Sequence, residues 1–175
     1  MQIDMAAVSV CGPVRARNED HALILDQTCV DQHIAFSSTA VAQFSRQHYG
    51  QVWAAVADGV SGARAGNLAS SFVVQNLRDQ LVEATIGRPL DDVRVNLSSL
   101  LNHTNGALIK IAGMSERTHG MSTTLSGIFL DARGLTVFHA GDSRVYRLRS
   151  NRLEQLTNDP VIVNVPVAST MSSCG

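Results

Sequence analysis

Apolar positions along this chain follow two different periods, and the change between them outlines the fold. Residues 3–10 (IDMAAVSV) read as a strand that Gly12-Pro13 breaks. His21 to Asp26 (HALILD) is a short apolar run suited to a buried strand. Residues 27–50 show no clear period and read as a long surface excursion. Gln51 to Ala57 (QVWAAVA) is a second buried-strand candidate ending at Asp58-Gly59. The spacing then becomes helical. Ala65, Leu68, Ala69, Phe72, Val73, Leu77, Leu81 and Ala84 predict a long helix from Arg64 that Gly87-Arg88-Pro89 ends. Val93, Leu97, Leu100, Leu101, Leu108, Ile111 and Ala112 predict a second, capped by Asp91 or Asp92. The short link between them implies an antiparallel pair. Strands return at Ser122–Leu130, Leu135–Ala140 and Arg144–Arg149, with a weak one near Leu153. Turns at 131–134 and 150–151 make these an antiparallel meander. Strands, a helix pair and more strands give an α+β class rather than alternating βαβ units.

Composition narrows the setting. At 175 residues, 45% hydrophobic and 17% charged, the chain is long and apolar enough for one folded domain. Only 5% is aromatic, which argues against stacking platforms for single-stranded nucleic acid. A net charge of −1 gives no electrostatic case for a nucleic-acid or anionic-membrane partner. Cys11, Cys29 and Cys174 are odd in number and lack C-x-x-C spacing, so neither a disulfide framework nor a zinc knuckle is expected. The first residues make a poor signal peptide, and no apolar run is long enough to span a bilayer. A soluble protein in a reducing, cytoplasmic setting is the expectation.

The candidate chemistry lies in acidic residues at three strand ends. Glu19-Asp20 follow a charged loop, Asp58-Gly59 ends an apolar run, and Gly141-Asp142 sits between two strands. Hard divalent cations take carboxylate and carbonyl oxygens. An Asp-Gly step after a strand offers both, because glycine lets its carbonyl face a metal without a Cβ clash. Taken singly, each element reads as an ordinary turn or solvated loop.

Taken in order, the motifs are far more specific. They are Val14-Arg15-x-x-Asn18-Glu19-Asp20, Val56-Ala57-Asp58-Gly59-Val60-Ser61-Gly62, Gly120-Met121-Ser122-Thr123-Thr124-Leu125, Ala140-Gly141-Asp142-Ser143-Arg144-Val145-Tyr146 and Leu156-Thr157-x-Asp159. Together they resemble the metal-dependent protein phosphatase family (PPM, protein phosphatase 2C-like), in its bacterial branch. The resemblance implies an α-β-β-α sandwich of two antiparallel sheets flanked by helix pairs. It implies Mn2+- or Mg2+-dependent hydrolysis of phosphoserine and phosphothreonine in proteins, within a bacterial Ser/Thr kinase pathway. Two ions, with a third and weaker one in bacterial members, belong to that picture. By resemblance, Asp58 bridges two metals, Gly59 lends a backbone carbonyl, Glu19 helps hold the same metal, and Asp20 orients a bound water. Arg15 grips the substrate phosphate, for which its planar fork is suited. Asp142 supports the third metal.

The sequence also departs from the family pattern. Val60 stands where many eukaryotic members carry His, and Pro160 where a polar residue is usual. The family's later Asp-Gly and Asp-Asn motifs do not occur after Asp159. The expectation is therefore a partial phosphatase domain over residues 1–159, incomplete at its C-terminus, followed by an atypical tail over 160–175 that closes nothing. Loss of those later ligands leaves a second reading, a non-catalytic pseudophosphatase that binds phosphoproteins or regulates a kinase pathway.

Overall fold

The structure, a computed structural model, describes residues 2–11, 13–14, 17–26, 40–47, 52–60, 65–85, 91–131, 134–157 and 163–166. In chain order its elements are β1 (Gln2–Ser9), β2 (Asp20–Asp26), β3 (Ala40–Gln47), β4 (Val52–Asp58), α1 (Gly66–Thr85), α2 (Asp91–Ala112), β5 (Leu125–Asp131), β6 (Gly134–Ala140), β7 (Tyr146–Arg149), β8 (Arg152–Gln155) and β9 (Val163–Pro166). The principal sheet has the order β2-β4-β5-β6-β9, and every neighbouring pair is antiparallel. β1 pairs with β3 and β7 with β8 in separate two-stranded ribbons.

Side-chain parity divides the principal sheet into two unlike faces. Leu23, Trp53, Ala55, Ala57, Phe129 and Phe138 form one cluster with Ala69, Val73, Val74, Leu77 and Leu81 of α1 and Leu97 and Leu108 of α2. In the centre Trp53 stacks on Phe129, its cross-strand partner, with ring centroids 4.1 Å apart. α1 packs on β2 and β4, and α2 packs on α1. A helix as long as α1 runs about 30 Å, farther than the five linking residues 86–90 can retrace at about 3.5 Å each. The pair must therefore be antiparallel, and Gln80 Nε2 donates to Thr104 Oγ1 across it at 2.7 Å.

The predicted helices and most predicted strands are present, and three expectations change. β3 lies in the stretch read as a surface excursion. A strand that pairs only with β1, outside the main sheet, needs no continuous apolar run to announce it. The meander also breaks: β7 does not pair with β6. The chain leaves the sheet at Gly141, whose φ of 104° is in the region that favours glycine. Finally, part of the tail joins the domain, because β9 extends the sheet along β6.

The β7–β8 hairpin turns through Ser150 and Asn151, both left-handed at φ 49° and 60°, which suits its right-handed strand twist. Arg147 and Glu154 pair across it at 2.6 Å. Its base is tied by Leu156 N–H donating to Val145 O at 2.8 Å and Val145 N–H donating to Thr157 Oγ1 at 3.1 Å. The Leu156-Thr157 step is thus a structural anchor. Among the described residues, no helix is long and apolar enough to cross a membrane.

Gly127 in β5 shows how tightly the centre is packed. A Cβ there would stand 2.4 Å from Phe138 Cζ and 2.6 Å from the carbonyl oxygen of Ala54. Gly127→Ala should therefore destabilise the fold by about 1–3 kcal/mol. Urea denaturation checks this as a lower midpoint at unchanged slope.

Candidate functional site

Of the acidic residues singled out in the sequence, Asp20 and Asp58 lie on the sheet face away from the helices, at one end. Asp20 opens β2 and Asp58 closes β4, and the antiparallel register sets them directly opposite each other. On the same strands, His21 and Leu23 take the alternate parity toward α1, with His21 Nδ1 2.9 Å from Ser70 Oγ. The alternation that buries one set of side chains beneath the helices thus presents the carboxylates on the other side.

The main chain around the pair is fastened at several points. Asn18 Oδ1 accepts from Asp20 N–H at 3.0 Å, a local turn typical of Asn. Asn18 Nδ2 donates to Ser9 Oγ at 2.6 Å, tying that turn to β1. The carbonyl oxygen of Glu19 accepts from Gly59 N–H at 3.2 Å and from the Ser70 hydroxyl. Glycine is required at 59 because a Cβ there would lie 2.3 Å from the carbonyl oxygen of Gly66. A Cβ on Gly66 would in turn lie 2.9 Å from Glu19 Oε2, so the Glu19 carboxylate rests against the first residue of α1. The positive end of the helix dipole favours a carboxylate there.

Burial pushes the Asp20 carboxyl above the ordinary carboxylate range, and the Asp58 charge, a hydrogen bond with Asp58 and the Glu19 charge push it in the same direction. Two facing carboxyls with a third nearby concentrate negative charge at this end of the sheet. Among the described residues, however, no three His, Cys, Asp or Glu side chains converge as a ready metal site. Asp20 and Asp58 face each other instead of fanning around a common point.

Past Asp58, the predicted strand from Ser122 begins only at Leu125, because the preceding residues serve the site. Val60 N–H donates to the carbonyl oxygen of Ser122 at 3.0 Å, and Thr123 forms an isolated bridge with Gly59. Thr124 N–H and the Thr123 hydroxyl both donate to the carbonyl oxygen of Asp58, at 2.9 and 2.8 Å.

Asp142 stands on the exposed turn after β6. Its neighbour Ser143 is linked to Asp58 through Thr124. Nearby, Arg144 donates to the Tyr146 hydroxyl at 3.3 Å. That bond chiefly, with the Asp142 charge adding, holds the guanidinium above the usual arginine value. Arg15, Asp159 and Pro160 lie outside the described residues. The structure thus gathers Glu19, Asp20, Asp58 and Gly59, and sets Asp142 in the neighbouring turn. Sequence reading gave no role to Ser70 or Ser126. Their hydroxyls act across elements distant in sequence, and no local spacing marks them.

Comparison with known proteins fits this arrangement. The family model for protein phosphatase 2C matches residues 38–162, more than half of the chain. The serine/threonine phosphatase stp of Listeria welshimeri is 33% identical over 109 residues, 62% of this chain and 43% of that protein. Stp1 of Staphylococcus aureus, whose crystal structure superposes with a TM-score of 0.69 at 24% identity, shares the fold over 91% of this chain and 54% of its own. The catalytic domain of PstP, crystallised with two manganese ions, superposes with a TM-score of 0.62 at 28% identity over 90% of this chain and 56% of its own. The chain therefore spans about half the length of the relatives it matches. The fold, the ordered motifs and the extent of the family match together show that this chain belongs to the protein phosphatase 2C family.

Proposed function

We propose that the chain carries the N-terminal part of a metal-dependent serine/threonine protein phosphatase site. The observation that supports this most is the Asp20–Asp58 carboxylate pair beside Glu19, fixed by strand register in a member of that family. Two carboxyls facing each other across paired strands mark a place where a divalent cation would be favoured, since it offsets both charges at once. The donor set, carboxylate oxygens with a glycine carbonyl nearby, suits hard ions such as Mn2+ or Mg2+. Asp58, Glu19 and Gly59 would hold the cation, Asp20 would orient water, and Asp142 would serve a further, weaker ion. When bound, a divalent cation supplies Lewis acidity and lowers the pKa of water for in-line attack on phosphorus. Arg15 would bind the phosphate of a phosphoserine or phosphothreonine protein, the substrate class of enzymes that oppose Ser/Thr kinases. A cytoplasmic place accords with that class.

The second reading, a non-catalytic phosphoprotein-binding member, is favoured by one observation. Among the described residues, no three side chains already converge as a metal site. Purified chain assayed with p-nitrophenyl phosphate and a phosphothreonine peptide separates the two. The expected result is hydrolysis that requires Mn2+ and falls to background in Asp58→Ala. Binding of the phosphopeptide without turnover would select the second reading, and turnover that survives Asp58→Ala would overturn the first.

A pH prediction follows from Asp20. Its carboxyl binds a proton more tightly in the folded chain than in the unfolded one. Its contribution therefore favours folding at acidic pH and is lost as pH rises through the raised value. Metal-free Asp20→Asn should melt at a higher temperature than the parent at neutral pH. That gap should close as pH falls toward the ordinary carboxylate range. Thermal melts across pH with a chelator present check this.

A further inference from the structure

The turn at 141–143 reaches Asp58 through hydrogen bonds. In an antiparallel hydrogen-bonded pair, two facing residues normally exchange both N–H···O=C bonds. Asp58 and Thr124 exchange only one. Thr124 N–H donates to the carbonyl oxygen of Asp58 at 2.9 Å, whereas Asp58 N–H donates to the Thr124 hydroxyl, at 3.1 Å. A side-chain oxygen has replaced a rung of the ladder. The Thr124 hydroxyl lies 2.7 Å from Ser143 Oγ. Having accepted from Asp58, it can direct its own proton to Ser143. The Ser143 carbonyl oxygen accepts from Ser126 Oγ at 2.9 Å. That spends the only proton of Ser126, so its oxygen accepts from His139 Nδ1, 3.0 Å away.

The result is a continuous chain, His139–Ser126–Ser143–Thr124–Asp58. Thr124 and Ser126 are buried, so their hydroxyls depend on one another rather than on water. The contact also depends on Gly141, where a Cβ would stand 2.8 Å from Thr124 Cγ2 and 2.9 Å from Thr124 Cβ. Only a residue without a side chain lets the turn approach Thr124 this closely.

We propose that Ser143 is a positioning residue for Asp58. Its hydroxyl fixes that of Thr124, which replaces a ladder bond at the strand end, and so sets the main chain from which the Asp58 carboxylate projects. This inference rests on the reading of Asp58 as a cation ligand. Its test is Mn2+ titration of the whole chain by calorimetry, together with amide hydrogen exchange at Asp58 and Val56. The proteins are the parent, Ser143→Ala, Ser143→Thr, Thr124→Val, the Ser143→Ala/Thr124→Val double variant and Asp58→Ala.

Ser143→Ala should weaken Mn2+ binding about three- to tenfold, the range for one hydrogen bond. It should also speed exchange at Asp58 while Val56 is unchanged. Ser143→Thr, which keeps the hydroxyl, should restore both. The double variant should lose no more than Thr124→Val alone, because both act through one contact. Parent-like Mn2+ affinity in Ser143→Ala, with binding abolished in Asp58→Ala, would overturn the role of Ser143 and leave the site reading standing. Faster exchange at Asp58 with unchanged affinity would do the same, as would additive losses in the double variant. Absence of saturable Mn2+ binding by the parent, or its survival in Asp58→Ala, would overturn the site reading and the proposal together.

Discussion

Two like-charged side chains facing each other across a strand pair repel, and β2 and β4 hold Asp20 and Asp58 in that position. What holds them is the opposite face of the same strands. Leu23, Trp53, Ala55 and Ala57 are buried against the helices, and side-chain parity then leaves Asp20 and Asp58 no other side. A slip by one residue would carry the carboxylates under α1 and the apolar set out of the core. Core packing therefore carries the cost of keeping the acidic pair together. The Glu19 carbonyl, clamped by Gly59 and Ser70, keeps both strand ends in place where the ladder stops.

The sheet is chemically unlike on its two sides. The helix side is apolar and conventional: a long amphipathic pair over stacked aromatics. At one end of the other side, Asp20, Asp58, Thr124, Ser126 and His139 come from four strands or their margins. Such a polar patch is stable only if each group finds a partner: the Thr124 hydroxyl pairs with that of Ser143, and the Ser126 hydroxyl with the Ser143 carbonyl oxygen.

Much of this was legible in the chain itself. The helices were clear because their apolar spacing persists over many turns, and β2 and β4 were clear because buried strands are nearly continuous in apolar residues. The carboxylates were legible because Asp-Gly and Glu-Asp end those runs in a recognisable order. β3 was not legible, because a strand in a marginal ribbon needs no uniform face. The departure of β7 from the sheet was hidden because it depends on a single glycine dihedral at Gly141. Ser70 and Ser126 were also hidden: a serine acquires a role only from the group that folding brings to it, and here those partners come from other elements.

Trp53 has an optical consequence. It is the only tryptophan in the sequence, is almost fully buried and stacks on Phe129. Its Nε1 has no hydrogen-bond partner, which is unusual for a buried indole. An indole in so apolar a place emits at shorter wavelength than one in water. The tryptophan fluorescence of this chain therefore comes from one ring near the start of the strand that ends in Asp58. Any loosening of that strand shows as a shift in colour, with no label added.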